Sequence, residues 1–312
     1  MRYYMGVDVG SSSSKGVLVD QEGKIHAEIS FPHDMENPKP GYYEHDAEEV
    51  WWGDFCRISR NLLIMGKVAP EEIKSIGVSA LGADCVPVDE NCVPLRRAIL
   101  YGIDARAEEE LREIEDSIGP EKIREMRSNP LCSEDVFAKS LWIKNKEPEI
   151  YKKTYKFCTA STYLTAKLTD VFVVDNYLAQ LCYFPAYHKD GTLAKEMVSR
   201  FIEPSMMTDT ASCTDVVGKV TKRAAEQTGL MEGTPVITGT DDAGAEAVSA
   251  GIVGQGDTMI MLGSSMYMIS LSDRPIADSR LWNSAYLVPG VHSIQGATNN
   301  MGTVTKWMKE KL

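Results

Sequence analysis

Twice in this chain an apolar, strand-like run breaks at a Gly-Ser turn and resumes as a second strand. The first is Met5-Gly6-Val7-Asp8-Val9-Gly10-Ser11-Ser12-Ser13-Ser14-Lys15-Gly16, with strand-like residues continuing to Val19. The second is Met259-Ile260-Met261-Leu262-Gly263-Ser264-Ser265-Met266-Tyr267-Met268. Both opening runs read as buried. Between them, Gly239-Thr240-Asp241-Asp242-Ala243-Gly244-Ala245 reads as a Gly/Asp turn that opens a small-residue helix. Glycine allows positive φ and close backbone approach, so successive N–H groups can converge on one anion, and serine adds donors without bulk. Two such turns can hold a polyphosphate, and a carboxylate lying between them in sequence can act on a hydroxyl. The combination points to phosphoryl transfer. An acid placed like Asp8 repels a bare phosphate but suits one that carries Mg2+. The spacings of a Walker A loop and of a dinucleotide fingerprint are both absent. For the first loop alone, an ordinary hairpin with a solvated Ser-rich turn is the competing reading.

The rest of the chain alternates. Strand-like runs at Lys24 to Ile29, Ile76 to Ser79, Cys85 to Val88, Val171 to Val174 and Val236 to Thr238 are interleaved with helix-like stretches. The latter include Ala47 to Met65, Ala105 to Ile118, Lys139 to Lys146 and Ala194 to Phe201. Strands interleaved with helices predict an α/β architecture, and 312 residues suffice for more than one core. A net charge of −12 disfavours nonspecific binding to nucleic acid or anionic membranes. No apolar run reaches the ~20 residues that span a bilayer, and the N-terminus enters its first strand without a basic-then-apolar signal pattern. A cytoplasmic protein is expected. Seven scattered cysteines read as buried thiols, not as disulfides or a metal site, and the five histidines show no zinc spacing. His45, inside Glu44-His45-Asp46, reads as a hydrogen-bonded structural residue.

Several segments, in order along nearly the whole chain, resemble the FGGY family of carbohydrate kinases, which includes glycerol kinase, xylulokinase and gluconokinase. Gly6 to Ser13 resembles the family's first phosphate loop. Gly41-Tyr42-Tyr43-Glu44-His45-Asp46 with Trp51-Trp52 resembles its acidic, Trp-bearing segment. Ala98 to Arg106 resembles its Ile-Leu-Trp-x-Asp-x-Arg stretch, and Leu141-Trp142-Ile143 with Glu147 to Tyr151 a helical segment common there. Gly229-Leu230 and Gly233-Thr234-Pro235-Val236 lead into the Asp242 turn as in the family. The resemblance implies a two-lobed actin/hexokinase/chaperone-ATPase (ribonuclease H-like) fold, with sugar and ATP meeting in a cleft whose closure excludes water. It implies a sugar-binding lobe over residues 1–250 and the beginning of an ATP-binding lobe over 251–312, the second lobe truncated. On that reading the chain alone has little kinase activity.

The same resemblance implies the site. Asp242 is the base toward the substrate hydroxyl, and Asp241 stands where the family usually has glycine. The competing reading makes both N-caps of the following helix. Asp8 holds Mg2+. Gly10, Ser11, Ser12 and Ser13 contact the transferred phosphoryl group. Lys15 either adds charge there or is a solvated turn residue. Gly263, Ser264 and Ser265 hold the other phosphates of ATP. Gly82, Ala83 and Asp84 occupy the positions where glycerol kinases have Arg-Glu and xylulokinases Met-His, so sugar contacts are expected from them and from Asp104, with Tyr101 replacing the usual Trp. Arg106 is expected to pair with Asp104 or another acid. Trp51 and Trp52 are expected to pack a helix on the sheet. The implied partners are ATP, Mg2+ and a small sugar or polyol, and many family members are homodimers. The departures at 82–84 and 241 leave a non-catalytic sugar-sensing or assembly module as the alternative, and an actin-like ATPase as a more distant one.

Overall fold

The computed structural model of the protein describes residues 1–127, 129–262, 266–298 and 301–311. The chain divides into two compact units, one of residues 1–114 and 132–243, the other of 115–131 and 244–312.

The first unit is built on a mixed sheet. β1 (Tyr3–Val9), β2 (Ser13–Asp20) and β3 (Ile25–Pro32) run antiparallel to their neighbours. On its other side β1 takes β4 (Ile73–Ala80) in parallel. β5 (Val216–Lys219) lies antiparallel to β6 (Pro235–Ile237), and β6 and then β7 (Thr240–Asp241) pair with β4 in parallel. The order is β5-β6-β4-β1-β2-β3, with β7 also beside β4. Strict alternation turns one face of β1 to the core: Tyr3, Met5, Val7 and Val9 are buried and the residues between them less so.

Asp46 starts the helical layer. Its carboxylate accepts the amides of Glu48 and Glu49 at 3.1 and 3.0 Å, opening a π-helical turn over Ala47–Trp52 that continues as α1 (Gly53–Gly66). A Cβ at Gly16 would stand 2.1 Å from Ile58 Cγ2, so α1 rests on β2 only because residue 16 has no side chain. α2 (Val136–Lys146) and α3 (Ala160–Thr169) follow. Trp51, Phe55, Ile58 and Leu62 share one core with Tyr163, Leu164 and the buried face of β1 and β4. The Trp51 and Tyr163 rings meet edge-on at 5.9 Å, and Trp52 stacks on Phe55 at 5.6 Å, so both tryptophans pack as the sequence suggests.

In the second unit β8 (Thr258–Leu262), β9 (Met266–Ser272), β10 (Trp282–Ala285) and β11 (His292–Thr298) form an antiparallel sheet in the order β8-β9-β11-β10. Ile269 and Leu271 of β9 are buried, whereas β8, read from sequence as buried, is an edge strand with Ile260 and Leu262 exposed. Sequence hydrophobicity does not distinguish an edge from a centre.

Two expected helices are shorter than their patterns. The stretch from Ala194 yields a single turn, Lys195–Val198. The one from Ala105 begins at Glu108, because the Arg106 amide goes to the Asp104 side chain at 3.0 Å and the Ala105 amide to Gly41 O at 2.9 Å. All seven cysteines are free thiols. Among the described residues no helix is long and apolar enough to cross a membrane.

Candidate active site

Strand register assembles the site. β1, β4 and β7 are parallel, so their C-terminal ends reach the same edge of the sheet, where open α/β sheets bind ligands. Asp8 pairs with Ser79, and Ser79 with Thr240; one step on, Val9 pairs with Ala80, and Ala80 with Asp241. Asp8 and Thr240 are therefore about 10 Å apart across β4, two strand spacings. Asp242 follows Asp241 as the first residue of α4 (Asp242–Ser249). This crank depends on Gly239. Its φ is +76°, and a Cβ there would fall 2.2 Å from the Val78 carbonyl oxygen, so only glycine lets β7 rejoin β4 beyond the end of β6.

Asp8 accepts a 2.8 Å hydrogen bond from Ser79 Oγ, and Lys15 stands opposite it on β2. Burial raises the Asp8 carboxyl above its ordinary value, opposed by Ser79 and the Lys15 charge. The Gly10 amide closes the turn on Ser13 O at 3.0 Å. Two of the turn's carbonyls face inward: Gly10 O to His33 Nε2 at 3.0 Å and Ser12 O to the His33 amide at 3.0 Å. The amides of Ser11 and Ser12 find no protein acceptor among the described residues, and amides so arranged are donors for an anion. His33 Nδ1 lies 3.1 Å from Asp54 Oδ2, and Arg57 Nη1 3.2 Å from Asp54 Oδ1. Neither His33 nor Asp54 was marked by the sequence, since no local spacing links a histidine after β3 to an acid on α1 and a carbonyl before β2. Ser79 was missed for the same reason. We expect His33→Leu to strip the Gly10 carbonyl of its partner and leave Asp54 with Arg57 alone, lowering stability by about 1–3 kcal/mol. Faster amide exchange over residues 10–14 checks this, and exchange unchanged there contradicts it.

His45 is buried and hydrogen-bonded. Trp51 Nε1 donates to its Nδ1 at 3.0 Å, and burial, with the charge of His33, pushes it down to about 4.

The segment after β4 is tightly held. Ala83 adopts a left-handed φ of 63°, and its carbonyl accepts from the buried Lys139 Nζ at 2.7 Å; the same ammonium binds Ser133 O at 2.6 Å. Lys139 thus ties two loops together, where the sequence shows only a helix-like stretch. Gly82 is half-buried and faces Asp241. Asp84 is wholly buried and its Oδ1 accepts the Ala160 amide, capping α3 at 3.0 Å. Asp104 is enclosed too. Its oxygens take Arg106 Nε at 2.9 Å, Arg106 Nη2 at 2.8 Å and the Tyr43 amide at 2.7 Å, while Arg106 Nη1 reaches Glu44 at 2.7 Å. The expectation of open sugar contacts at Asp84 and Asp104 is corrected: one caps a helix and the other anchors a buried arginine. Arg106 pairs as expected. Asp242 is half-buried with Oδ1 2.8 Å from the Ala243 amide. Gly263, Ser264 and Ser265 lie outside the described residues.

Two buried carboxyls make stability pH-dependent. Burial pushes Asp84 up to about 8 and Asp175 up to about 7, against amide hydrogen bonds that lower them. In the unfolded chain both ionise near 3.8. Above that value the folded chain holds protons that the unfolded chain has released, so stability falls as pH rises through 7 and 8. Each proton is worth at most about 1.4 kcal/mol per pH unit. His45 acts oppositely but only below its ordinary 6.5. Between pH 6.5 and 8 we therefore expect Tm to fall, and Asp84→Asn to flatten the slope. A Tm that rises over this window contradicts the assignment.

Which metal these groups fit follows from their chemistry. Among the described residues no cluster of three or more His, Cys, Asp or Glu could hold an ion alone. Asp8 suits Mg2+, which keeps several waters and is usually held by one or two carboxylates plus substrate phosphates. Its Oδ2 faces the turn, 4.0 Å from where a Gly10 Cβ would be.

Known proteins share this arrangement of elements. Residues 3–249 match the FGGY family of carbohydrate kinases, N-terminal domain. The chain is similar to the xylulose kinase of Staphylococcus xylosus, 25% identical over 99% of this chain and 64% of the relative. It is similar to the gluconokinase of Bacillus subtilis (strain 168), 24% identical over 99% of this chain and 60% of the relative. The solved xylulose kinase from Rhodospirillum rubrum matches with a TM-score of 0.89 at 27% identity, covering 98% of this chain and 62% of that one. The chain spans less than two thirds of the length of each. The matched stretch contains β1 to β7, the Gly10 turn and Asp242, and the chain belongs to the FGGY family of carbohydrate kinases.

Proposed function

We propose that this chain carries the sugar-binding side of an ATP-dependent carbohydrate kinase, with residues 1–250 as the sugar-binding lobe and 251–312 as the opening of the ATP-binding lobe. One observation carries the reading: parallel strands bring Asp8, Ser79 and Thr240 into one row, with Asp242 two residues on at the first turn of a helix. Phosphoryl transfer depends mainly on alignment and charge neutralisation, and this edge offers both. The sugar hydroxyl oxygen forms a bond to the γ-phosphorus, the bond from that phosphorus to ADP breaks, and the hydroxyl proton passes to the Asp242 carboxylate. The helix N-terminus favours the ionised form of Asp242 beforehand. Gly10, Ser11, Ser12 and Ser13 receive the transferred group, and Lys15 adds positive charge at the rim. Gly263, Ser264 and Ser265 hold the remaining phosphates. Mg2+, held by Asp8 together with those phosphates, would supply neutralisation of their charge. Gly82 and Ala83 line the sugar, with Asp84 and Asp104 supporting from behind. Such an enzyme works in the cytoplasm, where ATP is.

The relatives named for xylulose and gluconate set the panel: ketoses, polyols and aldonates. A ligand at 100 times its Kd adds about 2.7 kcal/mol to the folded state. A selective, saturable rise in Tm with one class is the expected result, and no shift with any of them would contradict the reading.

A further inference from the structure

We propose that Glu134 binds the sugar directly, its Oε1 accepting a substrate hydroxyl beside the segment 82–84. The inference rests on the carbohydrate-kinase reading and adds to it a contact that the sequence did not mark. Sugar hydroxyls need acceptors, yet Asp84 and Asp104 are taken up by the Ala160 amide and by Arg106. Glu134 stands in the same group of loops with one oxygen to spare. Ser133 Oγ donates to Gly102 O at 2.7 Å, and the Gly102 amide donates to Glu134 Oε2 at 3.1 Å, so residues 133 and 134 grip the loop that follows Leu100. The Lys139 ammonium joins Ser133 O to Ala83 O. One cation thus brings the backbone before Glu134 to the segment after β4. Glu134 and Asp241 both lie within electrostatic reach of Cys182, at the end of the helix Asn176–Cys182. Leu178 of that helix faces Gly82, its Cδ1 3.5 Å from where a Cβ would be.

The carboxylate is poised for a ligand. Its Oε1 has no hydrogen-bond partner among the described residues. The residue is half-buried, as are Gly82, Gly102 and Ser133. Burial raises the Glu134 carboxyl above its ordinary value, opposed by the Lys139 charge and the Gly102 amide. A carboxylate that has lost water on one side and holds one protein donor gains from a further donor, and a sugar hydroxyl is such a donor. Gly102 makes the room. A Cβ there would fall 2.1 Å from Glu134 Oε1 and 2.6 Å from its Cδ, so a side chain at 102 would turn the carboxylate away.

The test titrates ribulose, ribitol, glucitol and gluconate calorimetrically into the whole chain. For each probe that wild type binds, Glu134→Ala is expected to weaken affinity by about tenfold or more, the worth of a hydrogen bond to a charged group. Gly102→Ala, which pushes the carboxylate aside and deletes nothing, should act in the same direction. Ser133→Ala separates contact from scaffolding: it removes one grip on Gly102 but leaves Oε1 in place, so its effect should be far smaller. A further readout needs no variant: in carbon-labelled wild type, the Glu134 carboxyl resonance should move as the sugar saturates. Unchanged affinity in folded Glu134→Ala overturns the proposal. So does an equal loss in Ser133→Ala, or a carboxyl resonance that stays put while the sugar binds. Binding of no probe by wild type overturns the carbohydrate reading itself, and this contact with it.

Discussion

Asp242→Asn is expected to lower turnover of the active kinase by roughly 10²–10⁴-fold, the range for losing a positioned general base, with sugar affinity changed by less than about threefold. The loss should fall on kcat. Asn matches Asp in shape and can still hydrogen-bond the sugar hydroxyl, but it cannot take up the proton. Nor does it leave a hole in the core, since Asp242 is half-buried. Steady-state kinetics with calorimetric sugar binding checks both halves. The same kcat loss accompanied by lost sugar binding would mean that Asp242 orients the substrate without acting on its proton. Wild-type turnover would move the base elsewhere, with Asp241 the next carboxylate along.

The second large effect is on stability. Arg106→Met is expected to cost about 3–5 kcal/mol, because it leaves a buried carboxylate without its counter-charge. Arg106 has no exposed side-chain surface, binds Asp104 through two nitrogens and reaches Glu44 through a third. Its guanidinium also lies 4.2 Å from the Tyr42 ring centroid and 5.1 Å from that of Trp142. Glu44 keeps Arg96 at 2.6 Å, so Asp104 bears most of the loss. Adding Asp104→Asn should therefore recover much of it, the signature of a coupled pair in a double-mutant cycle. Denaturant unfolding measures all three variants. A loss below about 1 kcal/mol for Arg106→Met would put the pair in the class of exposed ion pairs and contradict its burial.

Local chemistry made part of this site legible. The Gly10-Ser11 turn, the Asp241-Asp242 pair before a small-residue helix and the apolar run of β1 are short-range signals, and each appears in the structure where the sequence places it. Long-range partnerships left no such trace. Ser79 meets Asp8 only through parallel pairing of β1 with β4. His33 meets Gly10 and Asp54 only once α1 lies over β2. Lys139 reads only as the start of a helix-like stretch, yet its ammonium ties two loops from inside. Asp84 and Asp104 show the opposite failure. Acids in loop-like sequence read as solvent-facing or substrate-facing, but an amide at a helix start and an arginine from two residues away claimed them. The exposed β8 marks a further limit, because apolar composition specifies a strand and not its neighbours.

The most direct test of the central claim is a map of where ligands act on the isotope-labelled chain. Amide chemical shifts are followed while an uncharged polyol or ketose is added, and separately with MgATP. The sugar is expected to move amides at 82–84 and 241–243, MgATP those at 10–13, and each set is expected to saturate. Sugar-dependent shifts confined to other parts of the chain, or none at saturating concentrations of either ligand, would contradict a phosphoryl-transfer site at the C-terminal ends of β1, β4 and β7.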